Sequence, residues 1–397
     1  MHKSLIRVAV PTVVAVLSLG VSATAASASS SAMPTFTIAY EGPLSGGNAQ
    51  LGLNMEYSVE LAVDQANAGT SFGKLPFKLA FKPADDQGSA SQSPTTAQEL
   101  VGDKSVVAVV GPAFSGATKA AEPFFSQADL ATVSPSATAP ELAQHGWHNF
   151  FRVVADDNAQ GPADASFIAQ KLHVKSVYSI DDATAYASGL VKAFDTKASA
   201  LGLKVTHVTD TGTTQCQNGT GDVSEYGASA SAVISSKAPI VFYAGYYCDF
   251  ALLVKALRSS GYKGMLMSDD GSLDPHYVSE AGAKNANGTY ISCACADLTK
   301  SVAAQPFAKA FRKLAHFPVG TYSAEAYDAA NAIISVMKSL GAAKNITRAA
   351  IVKHLATVNY RGLTKVVHFQ KDGNIAGTAV YIYHVVNGKI GVVGLAP

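Results

Sequence analysis

Residues 106–116 read Val-Val-Ala-Val-Val-Gly-Pro-Ala-Phe-Ser-Gly, five consecutive apolar residues followed directly by a loop that begins with Gly-Pro. An apolar run of this length predicts a β-strand buried on both faces, which is typical of a parallel sheet with helices on either side. Similar apolar runs before and after it in the sequence predict further strands. They lie at 36–40, 77–81, 131–133, 176–180, 204–208, 240–244, 264–267 and 289–292.

Amphipathic stretches alternate with these runs. Apolar residues recur at helical spacing within 59–66, 190–201 and 323–340, and each stretch is followed within a few residues by a glycine. Alternating strands and helices predict an α/β fold. The length of 397 residues predicts two or three units. Because no linker separates two parallel-sheet units, we expect the chain to cross between them more than once.

Charge excludes one class of partner. Thirty Lys and Arg residues balance 29 Asp and Glu residues, and the formal net charge is +1. A chain with this balance has no basic field to hold a nucleic acid or an anionic membrane surface. We therefore expect no nucleic-acid partner.

The first 28 residues have the pattern of a secretory signal peptide. Lys3 and Arg7 precede an apolar run at 8–21, and small residues follow as far as Ala28. The apolar run contains Pro11 and is shorter than the ~20 residues that span a bilayer. The sequence thus predicts export, either secreted or to the periplasm or cell envelope. It also predicts no lipid anchor, because no cysteine precedes Cys216.

Four cysteines in an exported chain favour disulfides. They are Cys216, Cys248, Cys293 and Cys295, and sequence alone allows three pairings. We expect Cys216–Cys248 and Cys293–Cys295, because the polar segment 211–222 can bring Cys216 to Cys248 at the end of the strand at 240–244. A Cys-x-Cys pair without a second pair of usual spacing does not favour zinc.

Polar side chains cluster where predicted strands end, which is where ligands bind in open α/β sheets. Ser115 follows one strand, Ser136 and Thr138 follow another, and Asp270 follows a third. Hydroxyls and helix starts suit a small carboxylate, and Asp270 suits an ammonium group. The alternative is that Ser115 and Thr138 only cap helices, with Pro140 in the first turn after Thr138.

Three common motifs of nucleotide-binding proteins and hydrolases are missing from the sequence. Residues 111–116 have the glycine spacing of a phosphate-binding loop, but Lys119 stands two positions too late. Neither Gly-x-Ser-x-Gly nor His-Glu-x-x-His occurs, and the histidines are scattered. We expect no enzyme activity, no cofactor and no metal site.

The loop at 134–142, Ser-Pro-Ser-Ala-Thr-Ala-Pro-Glu-Leu, resembles the second ligand loop of the leucine/isoleucine/valine-binding family of type I periplasmic binding proteins. Further matching stretches extend the resemblance over nearly the whole chain after residue 34. They are Gly-Pro-Leu-Ser-Gly at 42–46, Ala-Asp-Asp at 84–86, Gln-Gly-Pro at 160–162, Tyr-Ala-Gly-Tyr at 243–246 and Lys-Asp-Gly-Asn at 371–374.

This resemblance implies two doubly wound parallel-sheet lobes joined by three crossovers, a Venus-flytrap. Lobe 1 would comprise residues 35–155 and 298–365, and lobe 2 residues 156–297 and 366–397. The implied function is a monomeric receptor that captures a neutral, branched-chain or aromatic, amino acid and delivers it to the permease of an ABC transporter. The alternative is a secreted ligand-sensing or regulatory module of the same fold.

The resemblance also implies the roles of individual residues. Ser115, Ser136 and Thr138 would bind the ligand's carboxylate and ammonium groups from lobe 1, and Asp270 would pair with the ammonium from lobe 2. The side-chain pocket would be lined by Tyr186, Tyr246 and Tyr322. The chain departs from the family pattern at Asp270, where the family usually has Glu, and at Leu51, which replaces an aromatic residue.

Overall fold

Two helix-covered β-sheets organise residues 34–397. They are seen in a computed structural model that describes Ala9, residues 33–211, Cys216, and residues 221–298 and 301–397. The predicted signal peptide, apart from Ala9, lies outside the described residues. No helix in the described part of the chain is both long and apolar enough to cross a membrane.

The described elements follow one another largely as the alternating pattern predicts. In chain order they are β1 (Thr35–Gly42), α1 (Ala49–Asn67), β2 (Lys78–Asp85), α2 (Ser93–Gly102), β3 (Val106–Val110), α3 (Ser115–Gln127), β4 (Ala131–Ser134), β5 (Phe150–Arg152), α4 (Asp157–Gln170), β6 (Ser176–Asp181), α5 (Ala185–Ala200), β7 (Lys204–Thr209), α6 (Gly227–Ser236), β8 (Ile240–Ala244), α7 (Tyr247–Ser259), β9 (Met265–Ser268), α8 (Pro275–Ala281), α9 (Ala283–Ala286), β10 (Thr289–Cys293), α10 (Gln305–Ala315), α11 (Ser323–Leu340), α12 (Arg348–Leu355), β11 (Tyr360–Arg361), β12 (Val366–Val367), β13 (Tyr381–Val386) and β14 (Lys389–Leu395).

The first sheet is entirely parallel, with strand order β2-β1-β3-β4-β5. All five residues of its central strand β3 are buried, as the apolar run predicts. Helices α1 and α11 pack against each other on this sheet, and Ile333 and Ile334 of α11 are fully buried. We call the unit built on this sheet the first lobe.

The second sheet is mixed, with order β14-β13-β10-β9-β8-β6-β7. Strands β6 to β10 are parallel, whereas β13 and β14 are antiparallel. The sequence prediction missed this hairpin. Asn387 and Gly388 form its turn with φ of 51° and 73°, and Asn-Gly is the usual sequence signal for such a turn. We call the unit built on this sheet the second lobe.

The chain passes between the two sheets after β5, after β10 and after β12. The predicted α/β fold, with two sheet-based lobes and three crossovers, is therefore confirmed. A parallel sheet brings the carboxyl ends of its strands to one edge, so the loops after β3, β4, β8 and β9 gather where the two lobes meet.

In the structure, each of the two expected cysteine pairs is close enough for a disulfide bond. Cα–Cα separations are 5.8 Å for Cys216–Cys248 and 5.1 Å for Cys293–Cys295. The expected position of Cys248 was wrong: β8 ends at Ala244, and Cys248 lies in the first turn of α7.

Glu122 is a buried acid in the first lobe. Its carboxylate lies between β4 and the segment before β5, where it accepts hydrogen bonds from the Thr132 hydroxyl and from Nδ2 of Asn149, the latter at 2.9 Å. Burial raises the pKa of Glu122 to about 8, although both hydrogen bonds oppose the shift. An unfolded glutamate titrates near pH ~4.3.

Glu122→Gln should therefore reduce the pH dependence of folding. Between pH ~4.3 and about 8 the native state holds the Glu122 proton more tightly than the unfolded state, so the free energy of unfolding falls as pH rises through this window. One such group contributes up to about 1.4 kcal/mol per pH unit. Urea unfolding from pH 5 to pH 8 measures the slope. Glu141→Gln, at a partly exposed ion pair with Lys119, is the control, and identical slopes in wild type and Glu122→Gln would contradict the assignment.

Candidate functional site

Six of the seven predicted site residues line one cavity between the lobes. Ser115 and Ser136 come from loops of the first lobe, and Tyr186 and Tyr246 come from the second. The cavity lining also includes Asp270, Tyr322, Leu51, Met55, Ala113, Phe114 and Gly271. Its volume is about 20 Å³, room for about one water molecule. Thr138 lies outside this lining.

Asp270 is held by two tyrosines from different parts of the chain. Its Oδ1 accepts a hydrogen bond from the Tyr186 hydroxyl at 2.7 Å, and its Oδ2 accepts one from the Tyr322 hydroxyl at 2.7 Å. Tyr186 belongs to α5, whereas Tyr322 precedes α11 of the first lobe. Burial raises the pKa of Asp270, and the two hydroxyls oppose that shift. Each carboxylate oxygen keeps a further lone pair, so the group can still accept an ammonium proton.

On the first lobe, serine side chains tie two ligand-facing loops together. The Ser136 hydroxyl donates to the Ala113 carbonyl at 2.7 Å, and Ser115 Oγ accepts from the Ala139 N–H at 3.2 Å. Ser115 is also the first residue of α3, and the first N–H groups of a helix have no intrahelical acceptor. With its own hydroxyl proton still available, this corner can bind an anion.

Thr138 does not cap a helix, so that alternative is wrong. The short helical turn that follows, Pro140–Gln144, begins after Ala139 and has no side-chain cap. Thr138 is fully buried, and its hydroxyl makes no hydrogen bond of standard geometry with any described group. An unpaired buried hydroxyl costs about 1–3 kcal/mol. Thr138 is therefore a polar group still in need of a partner.

Asp157 is a second buried polar group of this kind, and it is not among the site residues predicted from the sequence. It is the first residue of α4, it is fully buried, and neither carboxylate oxygen makes a hydrogen bond of standard geometry with a described group, although the nearby Thr138 hydroxyl and Arg152 act to lower its pKa. Its N–H donates to the Thr138 carbonyl at 3.1 Å across the first crossover. Burial, and then the charge of Asp270, raise its pKa. One signal in the sequence could have pointed to Asp157: it lies three residues before Gln-Gly-Pro at 160–162, one of the stretches that carry the family resemblance.

Two more buried acids lie close enough to Asp270 for its charge to raise their pKa, so carboxyl groups predominate here. Asp164 and Asp269 are fully buried, and burial raises the pKa of both. The guanidinium group of the nearby buried Arg152 already donates hydrogen bonds to other groups. Its acceptors are the carbonyls of Ala137 and Ala139 and the side chains of Asn374 and Asp156. The described residues contain no cluster of three or more side chains suited to a metal ion. This surplus of carboxyl groups suits an organic cation such as an ammonium group.

Aromatic rings form the apolar wall of the site. Phe114 of the first lobe stacks on Tyr246 of the second, with ring centroids 4.2 Å apart and an interplanar angle of 23°. Tyr186 lies 5.4 Å from Tyr246, measured between ring centroids. Rings from both lobes therefore enclose any group bound between them.

Comparison with known proteins agrees with this arrangement. The sequence pattern of the periplasmic binding protein family, whose members are solute receptors and not enzymes, matches residues 35–389. The chain is 28% identical over 327 residues to Leu/Ile/Val-binding protein homolog 3 of Brucella melitensis, covering 82% of this chain and 84% of the relative. It is 27% identical to the Leu/Ile/Val-binding protein BraC3 of Rhizobium johnstonii, covering 89% of this chain and 92% of that one.

Solved structures show the same fold. A branched-chain amino acid transporter substrate-binding protein from Streptococcus pneumoniae, in complex with isoleucine, has a TM-score of 0.79 and 27% identity, covering 91% of this chain and 99% of that chain. A leucine-binding protein from Thermotoga maritima has a TM-score of 0.80 and 21% identity, covering 91% and 98%. The chain therefore belongs to the periplasmic binding protein family.

Proposed function

We propose that this protein captures a neutral amino acid, branched-chain or aromatic, between its lobes and delivers it to the permease of an ABC transporter. The observation that carries the proposal is the cavity between the lobes, where Ser115, at the first turn of α3 in the first lobe, and Asp270 of the second lobe line the same space. Relatives named for leucine, isoleucine and valine, and the isoleucine complex from S. pneumoniae, support the same class of ligand.

In this arrangement each end of the amino acid meets a complementary group. The carboxylate lies at the first turn of α3, where the Ser115 hydroxyl can donate to it, while Ser136 lines the same cavity and holds the neighbouring loop through the Ala113 carbonyl. The ammonium group donates to Thr138, Asp157 and Asp270, and the first two make no side-chain hydrogen bond of standard geometry with a described group. The side chain packs in the wall of the three tyrosines, Tyr186, Tyr246 and Tyr322.

In this proposal, the two lobes close on the ligand, and the permease recognises the closed form. Residues 35–155 and 298–365 would move as one body against residues 156–297 and 366–397. We also propose that residues 1–28 direct export, that the protein works as a monomer without a lipid anchor, and that both cysteine pairs are oxidised. No bond of the ligand is made or broken.

Calorimetry with modified ligands tests whether both charged ends are needed. Leucine should bind, whereas leucinamide and 4-methylpentanoate should each lose about 2–5 kcal/mol, because each lacks one partner of a buried charge pair. Equal affinity for all three compounds would refute the proposed function.

Asp270→Asn and Asp157→Asn should each weaken leucine binding by at least about 30-fold, since each removes a charge that faces the ammonium group. Folding should change little, because Asn has nearly the same shape and relieves a buried acid. Asp156→Asn is the matched control, since this neighbouring residue caps α4 and Asn caps a helix equally well. Normal binding by the Asp270 variant would assign that residue a structural role only.

Gly47→Ala should hinder closure. A Cβ at Gly47, in the loop after β1 of the first lobe, would lie 1.6 Å from the Cys216 carbonyl oxygen and 3.0 Å from Cys248 Sγ of the second lobe. We expect leucine affinity to fall by at least about tenfold, equivalent to about 1.4 kcal/mol, because the lobes cannot approach as closely. The control is Gly227→Ala, where a Cβ meets no atom within 4 Å. X-ray scattering with and without leucine measures closure, and full compaction of the Gly47 variant would contradict the prediction.

A further inference from the structure

A second and larger cavity lies beside the ligand cleft. Its volume is about 370 Å³, against about 20 Å³ for the cleft itself. We call it the rear chamber. Its apolar lining residues come from both lobes and include Leu273, Pro275, Phe317, Val319 and Ile390. A chamber of this size, with mostly apolar walls, falls in the range of small-molecule sites.

The rear chamber and the cleft are consecutive spaces along the same seam between the lobes. Leu51 and Met55 of α1 line the cleft, and Gln50 and Asn54 of the same helix line the chamber. Along the loop after β9, the lining passes likewise from residues 270–271 to residues 273–276. Among the described residues, Tyr322 alone lines both cavities.

Tyr322 therefore separates the two spaces. Its backbone has φ of 65° immediately before α11, and its side-chain hydroxyl is held at the cleft by the hydrogen bond to Asp270. In the proposed function the ligand's ammonium group competes for the same carboxylate. Binding would thus weaken the contact that holds the Tyr322 ring between cleft and chamber.

We propose that the rear chamber receives the distal part of the ligand's side chain, so that the protein takes amino acids with apolar side chains longer than that of leucine. This inference rests on the proposed function and specifies its class of ligand. The cleft itself has a volume of only about 20 Å³, whereas the chamber beside Tyr322, at about 370 Å³, has room for several methylene groups or a ring.

Some polar groups of the chamber have partners within the protein, whereas Asp274 Oδ2 and Asn54 Nδ2 have none among the described groups. Asp274 Oδ1 accepts hydrogen bonds from the backbone N–H of His276 at 2.8 Å and from its Nδ1 at 2.7 Å. That pairing raises the pKa of His276. Glu325 Oε1 accepts from the Ala296 N–H at 2.7 Å, and burial raises the pKa of Glu325.

Calorimetry with unbranched 2-amino acids tests the inference directly. From norvaline through norleucine and 2-aminoheptanoate to 2-aminooctanoate, affinity should rise about fourfold per added carbon, the equivalent of about 0.8 kcal/mol per buried CH₂. The last member should then bind about 60-fold more tightly than norvaline. If affinity stops rising at norleucine while leucine and norvaline bind, the chamber is not used and the inference fails alone. If none of these amino acids binds, the proposed function fails.

Filling the chamber gives the matched test. Val319→Trp should leave norvaline affinity within about twofold and reduce the 2-aminooctanoate advantage to below about fivefold, because the indole occupies the space of the tail. Val302→Trp, at a residue 86% exposed, is the control and should keep the full advantage. Ile390→Trp fills the chamber from the opposite wall, so the result does not depend on one variant folding. An undiminished advantage in the filled variants would overturn the inference.

Discussion

The arrangement of the site depends on two hydrogen bonds, which Tyr186 and Tyr322 donate to the carboxylate of Asp270. The two hydroxyls come from different lobes and meet on one buried carboxylate, each at 2.7 Å. A buried carboxylate needs such donors because burial alone disfavours its charge. Because Asp270 needs hydrogen-bond donors, an ammonium group can replace one of the neutral hydroxyls as its partner, and binding can thereby change the contact between the two lobes.

Two buried polar groups without a hydrogen bond of standard geometry lie near this carboxylate. Thr138 and Asp157 meet across the first crossover, and each lacks a hydrogen bond of standard geometry within the protein. Structural roles explain Arg152 and Ser136, whose donors are engaged by backbone carbonyls, but they do not explain these two residues. A fold tolerates unsatisfied groups of this kind where binding supplies the missing partner.

Sequence reasoning brought together most of the residues that line the cavity, because parallel strands end at a common edge. Ser115, Ser136 and Asp270 each follow a predicted strand within a few residues, so the fold class implied that they lie close together. Asp157 could not be found in this way, because it opens a helix after a crossover and does not follow a strand of its own lobe. The antiparallel hairpin β13–β14 was missed, although its Asn-Gly turn was visible at 387–388.

The sequence by itself determined the alternation of strands and helices, the bounds of β3, β8 and α11, and the loops that reach the cleft. These properties follow from local periodicity and turn chemistry, which neighbouring residues set. Only the tertiary structure decided that Thr138 caps no helix, that the buried Asp157 lies close enough to Asp270 for the charge of Asp270 to raise its pKa, and that a cavity of about 370 Å³ adjoins Tyr322. Cavities and unpaired groups depend on how two lobes pack across three crossovers, and residues distant in sequence create them together.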